Sequence, residues 1–414
     1  LGYQSLFSNT TASDNTAVGY QAAYSNTTGF KNTAIGQGAL EDNTTGDNLT
    51  AIGQAALGDN TTANDNTAVG KSALRANTTG TANTAIGYLS LGGNTTASYN
   101  TTVGYQAGYT GGGAGIVAIG YKALFANTNA NNVGVGNQAL VANTSGSSNV
   151  ALGHHTLFSN TTASGNTALG YQALRDTTGT GNTGVGFNNL ASNTTGTYNT
   201  ALGTEALSSS TTASFNTAVG YRAMLFTTTG TGNTALGRSS LQTNSTGQYN
   251  TALGFLSLVA NTTGADNTAV GSSALTANTT GFQNTAVGND VLGYNTIGND
   301  NVGVGYRCML FNTGSNNSGL GSNALRGNTT GSKNTALGSE ALKSNTTANF
   351  NTALGYQALF SNTTASGNVA VGYQTLLFNT TGFYLTALGE SALRDNTTGN
   401  FNIAVGQAAL YANT

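Results

Sequence analysis

The chain has 414 residues and a formal net charge of −2, with Lys, Arg, Asp and Glu making up 6% of it, no Trp, no Pro and 59 Gly. So thin a charge leaves no field to draw in nucleic acid or an anionic membrane surface, and no run of about 18 apolar residues exists to insert in a bilayer. Disorder is disfavoured as well, because 38% of the residues are apolar and they recur at fixed positions.

From its first residues the chain is a repeat. Leu1-Gly2 opens inside one copy, Asn15 to Lys31 reads NTAVGYQAAYSNTTGFK, and Asn32 to Asn48 reads NTAIGQGALEDNTTGDN. The glycine of the A-[VIL]-G core falls at Gly2, Gly19, Gly36, Gly53 and onward to Gly406, which is 25 glycines at intervals of 17 residues apart from four of 16. Val, Ile or Leu precedes it, as at Val18, Ile35 and Ile52. Leu follows four residues later in most coils, as at Leu40 and Leu57, and Asn seven residues later, as at Asn26, Asn43 and Asn60.

Three predicted elements fill each coil. N-T-A-[VIL]-G is a short strand and the A-L stretch a second ordered segment, since Asn, Thr and Gly are poor helix formers and short β-branched runs between turn residues favour strands. N-T-T-[GA]-x-x is a turn. The four short intervals support that division, because each missing residue falls in the turn, as in RDTTGTGN (Arg175 to Asn182). A deletion inside a strand would instead reverse the facing of every later side chain.

The fold class expected is all-β, a β-solenoid or parallel β-roll with one 17-residue coil per repeat and 25 coils. Residues 1–414 are expected to form a single array, a window of a longer chain with no caps, about 120 Å long at about 4.8 Å per coil. Each strand N–H is then committed to a neighbouring coil, which explains the absence of Pro. Equivalent asparagines such as Asn26, Asn43, Asn60 and Asn77 stack into a hydrogen-bonded ladder. The core glycine marks a tight bend, a positive φ or a close backbone approach.

Each coil offers two large aliphatic groups, few for the backbone it must order. One position is expected to fill the coil and the other to face a partner, giving a homo-oligomer of three chains side by side; a single thicker coil is the alternative. End-to-end stacking is a further expected self-contact. A Val, Ile or Leu before the glycine that points into solvent would sink the fibre reading.

Residues that could carry chemistry are few. Glu41 and Asp42 sit in a turn and recur in no register, so no acid/base pair is suggested. Gly111 to Gly115 (GGGAG) lacks the Lys-Ser/Thr of a phosphate loop. His154 and His155, read as strand neighbours, point to opposite faces and cannot chelate one metal. Cys308 is a lone thiol, read as a small core residue. No catalytic, cofactor or metal site is expected, and no enzyme.

Two surface features stand out. Tyr follows the core glycine in many coils, including Tyr3, Tyr20, Tyr88, Tyr105, Tyr121 and Tyr171; cross-coil stacking is the plainer account and sugar binding the sharper one. N-x-[ST] sequons at Asn9, Asn26, Asn43, Asn60, Asn77 and Asn94 are candidate glycosylation sites, although turn chemistry alone also favours Asn-Thr there.

The unit N-T-A-[VIL]-G-Y-Q-A-L resembles the N-S-x-A-[IV]-G repeats of trimeric autotransporter adhesin heads, and more closely the N-T-A-[VIL]-G…N-T-T-G arrays of phage and bacterial tail-fibre-like proteins. The resemblance covers all the coils and implies a trimeric, left-handed parallel β-roll serving as an adhesive or spacer shaft. Coils of 17 residues are longer than those of the adhesin heads. The function expected is a structural fibre, extracellular, on a cell surface or virion. A receptor- or glycan-binding adhesin using the repeat surface, with host glycans or a receptor as partner, is the alternative. Ice binding is a weaker one, because Thr27 and Thr28 are neighbours on opposite faces.

Overall fold

The computed structural model describes residues 1–413. No helix occurs among the described residues; the regular structure is 24 strands of three residues each. They fall in two compact units. Leu1–Thr204 holds β1 (Thr16–Val18) to β12 (Thr200–Leu202), and Glu205–Thr414 holds β13 (Thr217–Val219) to β24 (Ile403–Val405).

Each unit is a parallel β-solenoid in which one repeat makes one rung. Thr16, Ala17 and Val18 pair with Thr33, Ala34 and Ile35, and these with Thr50, Ala51 and Ile52; in the second unit Thr217, Ala218 and Val219 pair with Thr234, Ala235 and Leu236. The 16-residue coils stay in register, Thr167 opposite Thr183 and Val302 opposite Ser318, because the turn absorbs the deletion. The strand count is 24 where 25 coils were expected, since Gly2 has only Leu1 before it.

The A-L segment is ordered but is not a second strand. From the core glycine to the inner Asn the backbone runs through successive turns. Residues two, four and twelve after the glycine adopt the left-handed conformation, as at Gln21 (φ 55°), Leu40 (φ 56°) and Lys31 (φ 56°). For an L-residue this costs about 1–2 kcal/mol. It is held by hydrogen bonds between coils: Gln21 N–H donates to the Tyr3 carbonyl and Leu40 N–H to the Ala56 carbonyl, each at 3.0 Å.

The core glycine itself has φ between 124° and 146° throughout. A Cβ on Gly53 would lie 2.6 Å from the carbonyl carbon and oxygen of Gly70. Both roles expected of it, the unusual φ and the close approach of the next backbone, are therefore present.

Inside the coil lie the strand's middle Ala (Ala34, Ala51), the Ala and Leu of the turn segment (Ala39, Leu40, Ala56, Leu57) and two columns of asparagine, all buried. The expected ladder is formed: Asn43 Nδ2 donates to Asn26 Oδ1 (2.8 Å), Asn60 to Asn43 (2.9 Å) and Asn77 to Asn60 (3.1 Å), and each amide also donates to the carbonyl three residues on. The second column, at the Asn that opens N-T-A, also ladders in places, Asn149 Nδ2 donating to Asn132 Oδ1 at 3.2 Å, but its main partners are backbone groups. Asn32 accepts the Leu49 N–H on its Oδ1 (2.9 Å) and donates its Nδ2 to the Gly46 carbonyl (2.8 Å). This Asn is thus a buried splint between strand and turn, filling both hydrogen-bonding capacities of its amide.

Candidate interaction face

Alternation along a three-residue strand sends its middle side chain inward and the outer two outward. Ala34 and Ala51 are fully buried, whereas Val18, Ile35 and Ile52 are 38%, 39% and 37% exposed. The residue before the core glycine therefore faces out of the coil in every rung, and the strand's first residue, usually Thr, faces out beside it. Of the two aliphatic positions, Leu40 and Leu57 fill the coil, while Val18, Ile35 and Ile52 do not.

In-register pairing turns this into two straight columns up each unit, one of Val, Ile and Leu and one mainly of Thr. No strand carries a charged residue. At Val117, Val133 and Val150 three successive rungs present an aliphatic in both columns. In the second unit a shallow trough of about 300 Å³ runs between the columns, lined by Val302, Val304, Ser318, Leu320 and Leu337, where Ser318 and Gly319 leave room. Charge-free over a dozen rungs, with an aliphatic column beside one mainly of Thr, the face is of the kind that chains use for contact.

No protein-family model matches the chain, and no curated protein does either. The face has to be judged on its own geometry.

The other sequence-predicted positions fall elsewhere. Gly19, Gly36 and Gly53 stand at the corner that follows the face, and Asn26, Asn43 and Asn60 lie inside. That placement corrects the sequon reading for Asn26, Asn43, Asn60, Asn77 and Asn94. They are fully buried, and the Nδ2 that would carry a glycan donates instead to the previous Asn and to a turn carbonyl. Asn9 is exposed in the first coil, its Nδ2 on the Ala12 carbonyl and its Oδ1 accepting from Asn26.

The tyrosines stack across coils. Tyr88, Tyr105 and Tyr121 form a run with centroids 5.2 and 5.5 Å apart, and Tyr3 lies on Tyr20 and Tyr356 on Tyr373. Stacking covers ring faces, and cations cover further ones: Lys122 sits over Tyr121, Arg307 over Tyr306, and Arg394 over both Phe378 and Tyr411. A sugar needs a free ring face, which these runs mostly deny.

His154 and His155 occupy the turn after Gly153, not a strand. Their rings touch, with centroids 3.8 Å apart, which corrects the opposite-faces expectation. His154 stacks on Tyr171, and His155 Nε2 lies 2.8 Å from Gln138 Oε1. Burial, then His154 and Arg175, hold the His155 pKa below the usual histidine value. Cys308 is buried, and burial pushes its thiol up to about 12, which keeps it protonated. Among the described residues no three His, Cys, Asp or Glu gather as metal ligands, and no helix is long and apolar enough to cross a membrane.

The second asparagine column and the outward facing of the strand's aliphatic were not assigned from sequence. The first had a signal, since the Asn of N-T-A recurs in all rungs but those of Leu49, Ile116 and Leu385.

Proposed function

We propose that this chain is a structural fibre segment, the shaft of a filament exposed on a cell surface or virion, in which three copies lie side by side with their strand faces together. The observation that carries the reading is the column of outward Val, Ile and Leu, in register and uninterrupted by charge from β1 to β12 and again from β13 to β24. Within one chain these residues face solvent, the outcome named above as counting against a fibre, and only a partner that covers them restores that reading. The fibre reading therefore stands or falls with a partner on this face.

A second copy suits the face because both partners would offer the same charge-free columns, in register over a dozen rungs. Three copies, and the surface or virion setting, come from the resemblance to adhesin heads and tail-fibre arrays. Sedimentation and native mass of the recombinant chain test the reading: a trimer is expected, and a stable monomer at micromolar concentration sinks it.

One observation favours a second reading. Thr16, Thr33, Thr50, Thr67, Thr84 and Thr101 stand in register beside the aliphatic column. This is a flatter array than the Thr27 and Thr28 turn, and it removes the objection first raised to ice binding. A monomer showing thermal hysteresis supports that reading; an oligomer without it supports the fibre.

A further inference from the structure

In the second unit the residue five places after the core glycine carries a side chain in every coil except that of Gly293. The missing side chain opens a notch of about 200 Å³, lined by Ser273, Thr276, Asp290, Tyr294, Arg307 and Leu310. It lies on the turn segment, away from the strand face.

The walls are held in place. Arg307 Nε donates to Asp290 Oδ2 at 3.5 Å, and the guanidinium rides over the Tyr306 ring at 5.0 Å. Tyr294 stacks on Phe311 with centroids 5.2 Å apart. Among the described residues neither Asp290 Oδ1 nor the terminal Arg307 nitrogens have a hydrogen-bond partner within the chain. A carboxylate and a guanidinium thus stand side by side, one with acceptors to spare and the other with donors. The Ser273 and Thr276 hydroxyls and the Leu310 side chain complete the surround.

We propose that this notch binds a single neutral sugar residue, with adjacent hydroxyls bridging Asp290 and Arg307 and the C–H surface of the ring against Leu310 and Tyr294. The pair cancels its own charge, so an anion would meet Asp290 and a cation Arg307, each unfavourably. A hydroxyl both donates and accepts, and two neighbouring ones match the carboxylate and guanidinium together. The volume lies below the roughly 300–1,000 Å³ of sites for drug-sized ligands, as suits one ring. The proposal is independent of the oligomer, because the notch and the strand face share no residue.

The test uses methyl α-glucoside, methyl α-mannoside, methyl β-galactoside and N-acetylglucosamine at millimolar concentrations, read by saturation-transfer NMR and calorimetry. Two variants copy the residues at the equivalent places one coil earlier and so keep the local backbone: Gly293→Thr, after Thr276, fills the notch, and Asp290→Ser, after Ser273, removes the carboxylate. Saturable binding of at least one sugar is expected, weakened about tenfold or more in each variant, with melting temperature and native mass unchanged. Absence of saturable binding to all four sugars overturns the proposal, and so does binding that either variant retains.

Discussion

Gly319 and Cys308 share one space: a Cβ on Gly319, in the middle of its strand, would lie 2.6 Å from the Sγ of Cys308 in the coil before. The same exchange recurs at Gly303, whose Cβ would lie 2.7 Å from Val291 Cγ1; Gly184 makes room instead for Asn189 of its own coil. In many other coils both places are Ala, as at Ala324 and Ala336, while Thr156 faces Ala168 and Ser90 faces Thr102. At Cys308 and Val291 a larger turn residue is therefore met by a smaller strand residue in the next coil. Gly319→Ala alone should cost about 1–3 kcal/mol through overpacking, and Cys308→Ala added to it should recover most of that by restoring the Ala pair. Denaturant melts of the two single variants and the double one measure the coupling.

The period, the strands, the turns and the first asparagine ladder were legible in the sequence because each leaves a residue-type signature at a fixed offset. The left-handed backbone at Leu40 and Leu57 was not, since nothing in leucine prefers it; hydrogen bonds to the coils on either side impose it. The facing of Val18 and Ile35 was open for a related reason. In a strand of three residues between Asn and Gly, an Ala and a Val compete for the inside, and the narrow coil takes the smaller. The notch at Gly293 depends on an absent side chain between two neighbouring columns, which a single-coil consensus hides.

Asn261 tests the ladder. Its Nδ2 donates to Asn244 Oδ1 at 2.8 Å and to the Gly264 carbonyl at 2.9 Å, and its Oδ1 accepts from Asn278 at 2.9 Å. Asn261→Ala leaves Asn244 Oδ1 buried with no donor and is expected to cost about 1–3 kcal/mol. Where the ladder already breaks, at Asn94 and Asn295, the chain carries one such unpaired oxygen, so a local loss is expected and not collapse of the unit. Amide exchange should quicken in the rungs around Asn261 and stay unchanged several rungs away.

Gly53→Ala should be far worse than a cavity or an overpacked methyl. The backbone there has φ 131°, and the new Cβ would press on the Gly70 carbonyl, which cannot move without breaking its own rung. The Gly53 and Gly70 amides donate to Ile35 and Ile52 at 2.7 Å. A loss of about 4 kcal/mol or more is expected, with those two amides losing their protection from exchange. Near-native protection at both would contradict the role given to the core glycine.

His155 gives the first unit a pH dependence. Its folded pKa lies below the unfolded value near 6.5, first through burial, then through His154 and Arg175. The unfolded chain therefore takes up the proton more readily, so stability is intact above about pH 6.5 and falls as the pH drops below it. Around the ring stand Gln138, His154, Phe158 and Arg175, so no carboxylate among them offsets the added charge. His155→Gln, which supplies the side chain found at Gln138 and Gln172, should flatten the melting temperature measured from pH 8 to pH 5. An equal slope in both proteins would assign the dependence to other groups.

The strand face offers the sharpest contrast, because neighbouring aliphatic positions face opposite ways. Ile35 and Ile52 point out of the coil, and Leu57 fills it. Ile35→Lys with Ile52→Lys leaves the interior packing intact, since a long cationic side chain on the outside displaces nothing. It does place two charges where copies of the chain would meet, and unpaired charges buried at an interface are strongly disfavoured. The native mass should fall to that of one chain, and the melting temperature should lose its dependence on protein concentration. Leu57→Ala should do the reverse, costing about 2–5 kcal/mol of folding stability while the mass holds below the melt. If the double lysine variant stays assembled, the outward column is not where the copies touch.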